Sequence, residues 1–84
     1  MSTYQSILLL EKLPYFNLLL QRGIIPITWM DYKVIYEFYL DQVEILIRDG
    51  FSVPKANRTA NTITADEYNI SESGVYKIIQ KMRL

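Results

Sequence analysis

The chain has 84 residues, half of them apolar and 21% charged, with a formal net charge of zero. That length holds one domain, and the absence of cysteine and histidine excludes disulfides, thiolate or imidazole metal sites, and catalysis by either residue. A domain this small has little interior, so its apolar fraction predicts that some apolar surface meets a partner, and a homodimer is the simplest case.

The apolar spacing is helical along the whole chain. It predicts an all-α fold: a small helical bundle in a single domain, 1–84, with a long central helix at about 28–48 and a C-terminal helix-turn-helix. A first helix is expected from about Thr3 to Lys12, with Tyr4, Ile7, Leu8 and Leu10 on its apolar side. Leu13-Pro14 interrupts it, and Pro14 suits the first turn of a second helix that ends near Arg22 and Gly23. One kinked helix is the alternative. The opening apolar stretch is broken by Glu11 and Lys12 and lacks the basic flank and cleavage site of a signal peptide. No apolar run approaches the roughly 20 residues of a membrane span, so a cytoplasmic protein is expected.

Pro26 makes "GIIPI" an extended connector, with Ile24, Ile25 and Ile27 expected to point inward. Thr28 is the expected N-cap of the long helix, with Asp31 three residues on, where a negative charge favours the helix start. The helix runs from Trp29 to about Arg48 and stops at Asp49-Gly50. Glu37, Asp41, Glu44 and Arg48 form one narrow polar stripe on it. Trp29, Tyr32, Tyr36, Tyr39, Leu40, Val43 and Ile47 form an apolar face, which Val34, Ile35, Phe38, Ile45 and Leu46 widen. A helix this apolar is buried on more than one side, as the central helix, a dimer interface, or both. Residues 1–50 are therefore read as a helical scaffold and possible dimerisation part. Residues 51–60, with Pro54 and several small polar residues, read as a linker to the helix-turn-helix at 61–84.

The last stretch meets the steric demands of two helices joined by a tight turn. Ala65 supplies a small residue where the helices meet, and Tyr68 an apolar one a turn later. Asn69 can take the left-handed conformation that the turn requires. Ile70 plugs the turn, Ser71 caps the second helix, and Val75, Ile78 and Ile79 point back into the core. Gly74 lies in the first turn after that cap.

The order Ala65, Tyr68, Asn69, Ile70, Ser71, Val75, Ile78 resembles the signature of helix-turn-helix DNA-binding families, with Asn69 in place of the usual glycine. The likeness is to the homeodomain-like form found in phage and transposon regulators, resolvases, transposases and sigma factors, with activators of phage middle genes nearest. It covers residues 61–80. It implies that the helix at about 72–82 enters the major groove of double-stranded DNA and presents Ser73, Tyr76, Lys77 and Gln80. Gln80 is then suited to adenine, and Lys77 to guanine or phosphate. Lys81, Arg58 and Lys55, with Arg83, are the further cations for phosphate. Glu72 could accept from cytosine but is read first as a favourable charge in a helix's first turn.

The charge distribution leans the same way. Residues 1–50 hold four cations and six carboxylates, a balance of −2, and residues 51–84 hold five and three, a balance of +2. Two copies would double the cations available to DNA. An enzyme is not expected: the carboxylates of the long helix are spaced as a solvated stripe, and there is no glycine-rich phosphate loop. No cofactor or small-molecule substrate is evident. The rival reading is a protein-interaction subunit whose hairpin is scaffold only, suggested by the wide apolar helix and by seven tyrosines, three phenylalanines and one tryptophan. A positive outer face over residues 72–81 with Lys55 and Arg58 would favour DNA. Neutralisation of that face by Asp66, Glu67 and Glu72 would favour the rival.

Overall fold

The computed structural model describes residues Met1–Leu84 as five α-helices without strands: α1 (Thr3–Leu10), α2 (Phe16–Gln21), α3 (Thr28–Arg48), α4 (Val53–Tyr68) and α5 (Glu72–Arg83). The all-α bundle expected from the apolar spacing is present. The long helix is its axis, since α1, α4 and α5 all pack on α3, the pairing with α4 being the most extensive.

Each partner contributes one apolar edge to the core: Ile7 from α1, Tyr36 and Tyr39 from α3, Ala60 and Ala65 from α4, and Val75, Ile78, Ile79 and Met82 from α5. The four α5 residues follow the i, i+3, i+4, i+7 spacing of one helix face. Burying each large side chain stabilises the fold by about 1.5–3 kcal/mol. The first and last helices are tied together, because the Thr3 N–H donates to the Leu84 carbonyl at 2.9 Å. A capping box starts α1: the Ser2 hydroxyl accepts from the Gln5 N–H, and the Gln5 side chain accepts from the Ser2 N–H.

Four local expectations change. Residues 51–60 are not a linker: α4 starts at Val53 and runs unbroken through them. Pro54 sits in the first turn, where a missing N–H costs no bond and a fixed φ suits the helix. The small residues that read as linker are packing residues. Ala56, Ala60 and Thr64, spaced four apart, are fully buried, and the Thr64 hydroxyl donates to the Ala60 carbonyl at 2.7 Å.

Second, Thr28 is the first helical residue of α3, and Ile27 is the cap without a side-chain bond. The backbone supplies the turn itself, with the Trp29 N–H donating to Pro26 and the Met30 N–H to Ile27. Third, of the three connector isoleucines only Ile25 is buried, while Ile24 and Ile27 are 67% and 71% exposed. Fourth, α2 is shorter than the expected helix from Pro14 and has no substantial contact with any other helix.

On α3 the polar stripe is real, but Glu37 is drawn into the structure. It accepts from the Tyr4 hydroxyl at 2.7 Å and lies 3.6 Å from Lys33, which also reaches Glu11 at 3.1 Å. Burial pulls the Lys33 ammonium down, but the bond to Glu11 and the charges of Glu37 and Glu11 outweigh it and leave the pKa raised. The hydrogen bond to Glu37, with burial and the same negative charge, pushes the Tyr4 phenol up to about 12. These groups fasten α1 to α3.

Candidate nucleic-acid interface

α4 and α5 are joined by three residues, Asn69, Ile70 and Ser71. Asn69 has φ 53° and ψ 46°, the left-handed conformation expected of it, and ends α4. The Ile70 N–H donates to the Ala65 carbonyl at 3.0 Å, five residues back, which satisfies a carbonyl left open at the helix end. The Ile70 side chain packs on the core. Ser71 then caps α5, its hydroxyl accepting from the Gly74 N–H at 2.9 Å. Tyr68 is half-buried and meets the Phe38 ring edge-on, with centroids 5.4 Å apart. The turn thus fixes where α5 leaves α4, and the buried Val75, Ile78, Ile79 and Met82 fix its rotation.

That rotation decides what faces outward. Ser73, Lys77 and Gln80, at i, i+4 and i+7, lie opposite the buried edge, flanked by Tyr76 and Lys81, and all five are exposed. Lys55 and Arg58 are exposed on α4. The seven residues selected from the sequence are therefore solvent-accessible, but they are not equally free. Gln80 donates to the Tyr76 hydroxyl at 2.8 Å, so the two form a unit along one side of α5. The Lys81 ammonium lies 5.2 Å over the Tyr32 ring and lines a cavity of about 360 Å³ with Trp29 and Met82. The Lys55 ammonium lies 5.3 Å over the Phe51 ring. Arg58 and Lys77 have neither a carboxylate nor an aromatic face to hold them.

Arg83 is taken up by the fold. Its Nε donates to the Tyr36 hydroxyl at 3.3 Å, and its guanidinium lies 5.9 Å from the same ring. The bond to Tyr36 raises the Arg83 pKa above the ordinary arginine value, while burial acts against it. Burial raises the Tyr39 phenol, and the positive charge of Arg83 holds it back. Arg83 is an anchor between α5 and α3.

Glu72 is also committed. It accepts a hydrogen bond from the Thr62 hydroxyl, which joins the first turn of α5 to α4. One residue of α4 each side of that contact sets its surroundings. Arg58 lies a turn before Thr62, and Asp66 a turn after it, on the same edge. The face is therefore divided. The middle of α5 carries a free lysine and polar groups, its first turn carries the exposed Glu72, and the last turn of α4 before it carries the exposed acids Asp66 and Glu67.

Thr62 was not distinguishable as a contact residue from the sequence. Its signal is the spacing that puts it one turn after Arg58, visible only once α4 is known to begin at Val53. Compared with protein-family models, curated proteins and solved structures, the chain matches none.

Proposed function

We propose that this protein binds double-stranded DNA in a sequence-dependent way, with α5 in the major groove and two copies acting together. The observation that carries the reading is the outer face of α5. Ser73, Lys77 and Gln80 project from one side of a helix whose rotation is fixed by a fully buried opposite edge. Such a face offers a cation for guanine or phosphate and an amide for adenine. Arg58 and Lys55 on α4 are the flanking phosphate cations. The resemblance of residues 61–80 to phage and transposon regulators adds the role: a small transcriptional regulator or accessory factor of a mobile element, acting in the cytoplasm. No catalysis is proposed.

The test is duplex affinity measured against salt concentration, followed by selection of bound sequences from a random duplex pool. Four cations per chain, Lys55, Arg58, Lys77 and Lys81, give a slope of log K on log salt of about −3.6 for one chain and about −7 for two. A flat response, or no binding at low salt, overturns the reading.

One observation favours the second reading, a protein-interaction subunit. Asp66, Glu67 and Glu72 stand at the end of α5 from which base contacts are usually made. If no duplex is bound and a basic protein partner is, that acidic entrance is the recognition surface and the hairpin is scaffold.

A further inference from the structure

The segment from Leu9 to Ile27 takes little part in the bundle and meets the outer face of α5 only where Pro26 lines the cavity beside Lys81. α2 has no substantial contact with another helix, and of its four large apolar residues Phe16, Leu19 and Leu20 are half-buried and Leu18 is exposed. Ile25 alone in this segment is buried, and Leu9, Leu18, Ile24 and Ile27 are exposed between 46% and 71%. The chain as a whole is also extended. Its radius of gyration is 14.3 Å, where a compact chain of this length has about 12 Å. Its accessible surface is 5733 Å², where a folded monomer of its mass exposes about 5,200 Å². The excess of about 500 Å², summed over the whole chain, is below the ~800 Å² per partner of a standard interface, so the contact it leaves room for is a small one.

The charges specify the occupant. No charged residue stands between Lys12 and Arg22, and Glu11 is already paired with Lys33. A two-fold contact lays a patch on its own copy, so any charge in the centre would meet its like. A patch with an uncharged centre and cations only at its ends avoids that repulsion. It offers no complementary charge to a basic partner, and to an acidic one only the two cations at its ends, Lys12 and Arg22.

The geometry points to a homodimer interface formed by α2 and its flanking apolar residues, occupied by the same arm of a second copy. The outward residues of α3, such as Ile45, lie outside it. This deepens the dimer part of the proposed function and does not depend on DNA. It leaves Ser73, Lys77 and Gln80 free in both copies.

The test is mass by light scattering over a range of protein concentration, on the wild type, Leu18→Glu and Ile45→Glu. Both positions are exposed, so neither variant disturbs the core, and circular dichroism checks that helicity is kept. The wild type and Ile45→Glu are expected at twice 9.9 kDa and Leu18→Glu at half that mass. The chain has no cysteine, so a short bis-maleimide adds a second readout: Leu18→Cys cross-links between chains and Ile45→Cys does not. A dimeric Leu18→Glu together with a monomeric Ile45→Glu places the interface on α3 and overturns the assignment to α2, leaving the dimer intact. A wild type that is monomeric at every concentration overturns the dimer itself. A monomer that loses its binding to vesicles of anionic lipid on Leu18→Glu shows that a membrane surface covers the arm, and equally overturns the proposal.

Discussion

The Glu72 carboxylate accepts a hydrogen bond from the Thr62 hydroxyl and so clasps the first turn of α5 to the flank of α4. The clasp gives Glu72 a structural role at the place where a DNA-reading helix would meet base edges. Its charge and its bond can be separated. Glu72→Gln keeps the acceptor for Thr62 and removes the negative charge. If α5 enters the groove, the variant binds duplex more tightly, by about threefold per chain, the effect of one charge about 6 Å from a phosphate in water. Stability falls by under about 1 kcal/mol, because a charge favourable to the helix start is lost. Weaker binding instead would identify Glu72 as a base contact. The measurement is fluorescence anisotropy with a fixed duplex at low salt.

Lys77 and Arg58 are the two cations of the proposed interface that no salt bridge or aromatic face restrains. If the proposed function holds, Lys77→Ala and Arg58→Ala are each expected to lower duplex affinity and to reduce the salt slope by about 0.9 per chain. Each changes unfolding free energy by less than about 0.5 kcal/mol, as expected of exposed positions. Arg83→Ala behaves in the opposite way. It loses the bond to Tyr36 and the packing of α5 on α3, so stability falls by about 1–2 kcal/mol. Urea denaturation beside salt titration separates the two classes. A Lys77 variant that unfolds would show that the face of α5 has been assigned wrongly, and an Arg58 variant that unfolds would show the same for α4.

The C-terminal hairpin was legible in the sequence because each position there answers a separate steric demand. Asn69 must be left-handed, Ile70 must plug the turn and Ser71 must cap, and few residue types meet each demand. Residues 53–60 are helical where a linker is expected, because proline, asparagine and threonine carry the same local signal in a loop and in a first turn or a packed helix. What decides between them is the burial of Ala56, Ala60 and Thr64 under α3, a tertiary contact. The inward placement of Ile24 and Ile27 failed for a related reason: hydrophobicity states that a residue seeks cover, not whether this chain supplies it. The use of Arg83 as an anchor depends on Tyr36, 47 residues away, and no local pattern announces it.

Asn69 is the only non-glycine residue with positive φ. Its side chain tolerates that conformation better than most, and glycine tolerates it best. Asn69→Gly therefore leaves stability within about 0.5 kcal/mol of the wild type, and Asn69→Val lowers it by about 1–2 kcal/mol. Equal losses in both variants would mean that the asparagine side chain matters here beyond its backbone tolerance. Thermal and urea unfolding of the three proteins decide the matter.

Tyr4 provides a pH test of the fastening between α1 and α3. Its phenol titrates near 10 when unfolded and at about 12 in the fold. A raised acid pKa means that the folded state holds the proton more tightly. The stabilising contribution is complete below pH 10 and is lost as pH rises through 12. Tyr4→Phe removes the bond to Glu37 and costs about 1 kcal/mol at neutral pH. The stability gap between wild type and variant therefore narrows from pH 10 to pH 12. A gap that stays constant across that range would show that the hydroxyl does not depend on Glu37.

Gly74 joins the helix-propensity and capping effects at one position. Alanine there should gain up to about 1 kcal/mol of helix propensity, less in a first turn than mid-helix. The added methyl would sit 3.1 Å from the Ser71 hydroxyl, the group that caps the helix by accepting from the Gly74 N–H, and 4.0 Å from the Ile70 side chain. No neighbouring helix approaches within 4 Å. Ser71 is exposed and can yield the few tenths of an ångström needed, so Gly74→Ala is expected to stabilise the protein by about 0.5 kcal/mol. A loss of about 1 kcal/mol instead equals the value of an N-cap and would mean that the crowded serine abandons its bond. Double-mutant analysis with Ser71→Ala distinguishes the outcomes. If the cap survives beside alanine, Ser71→Ala costs the same in both backgrounds. If it does not, Ser71→Ala costs nothing once Gly74 is replaced.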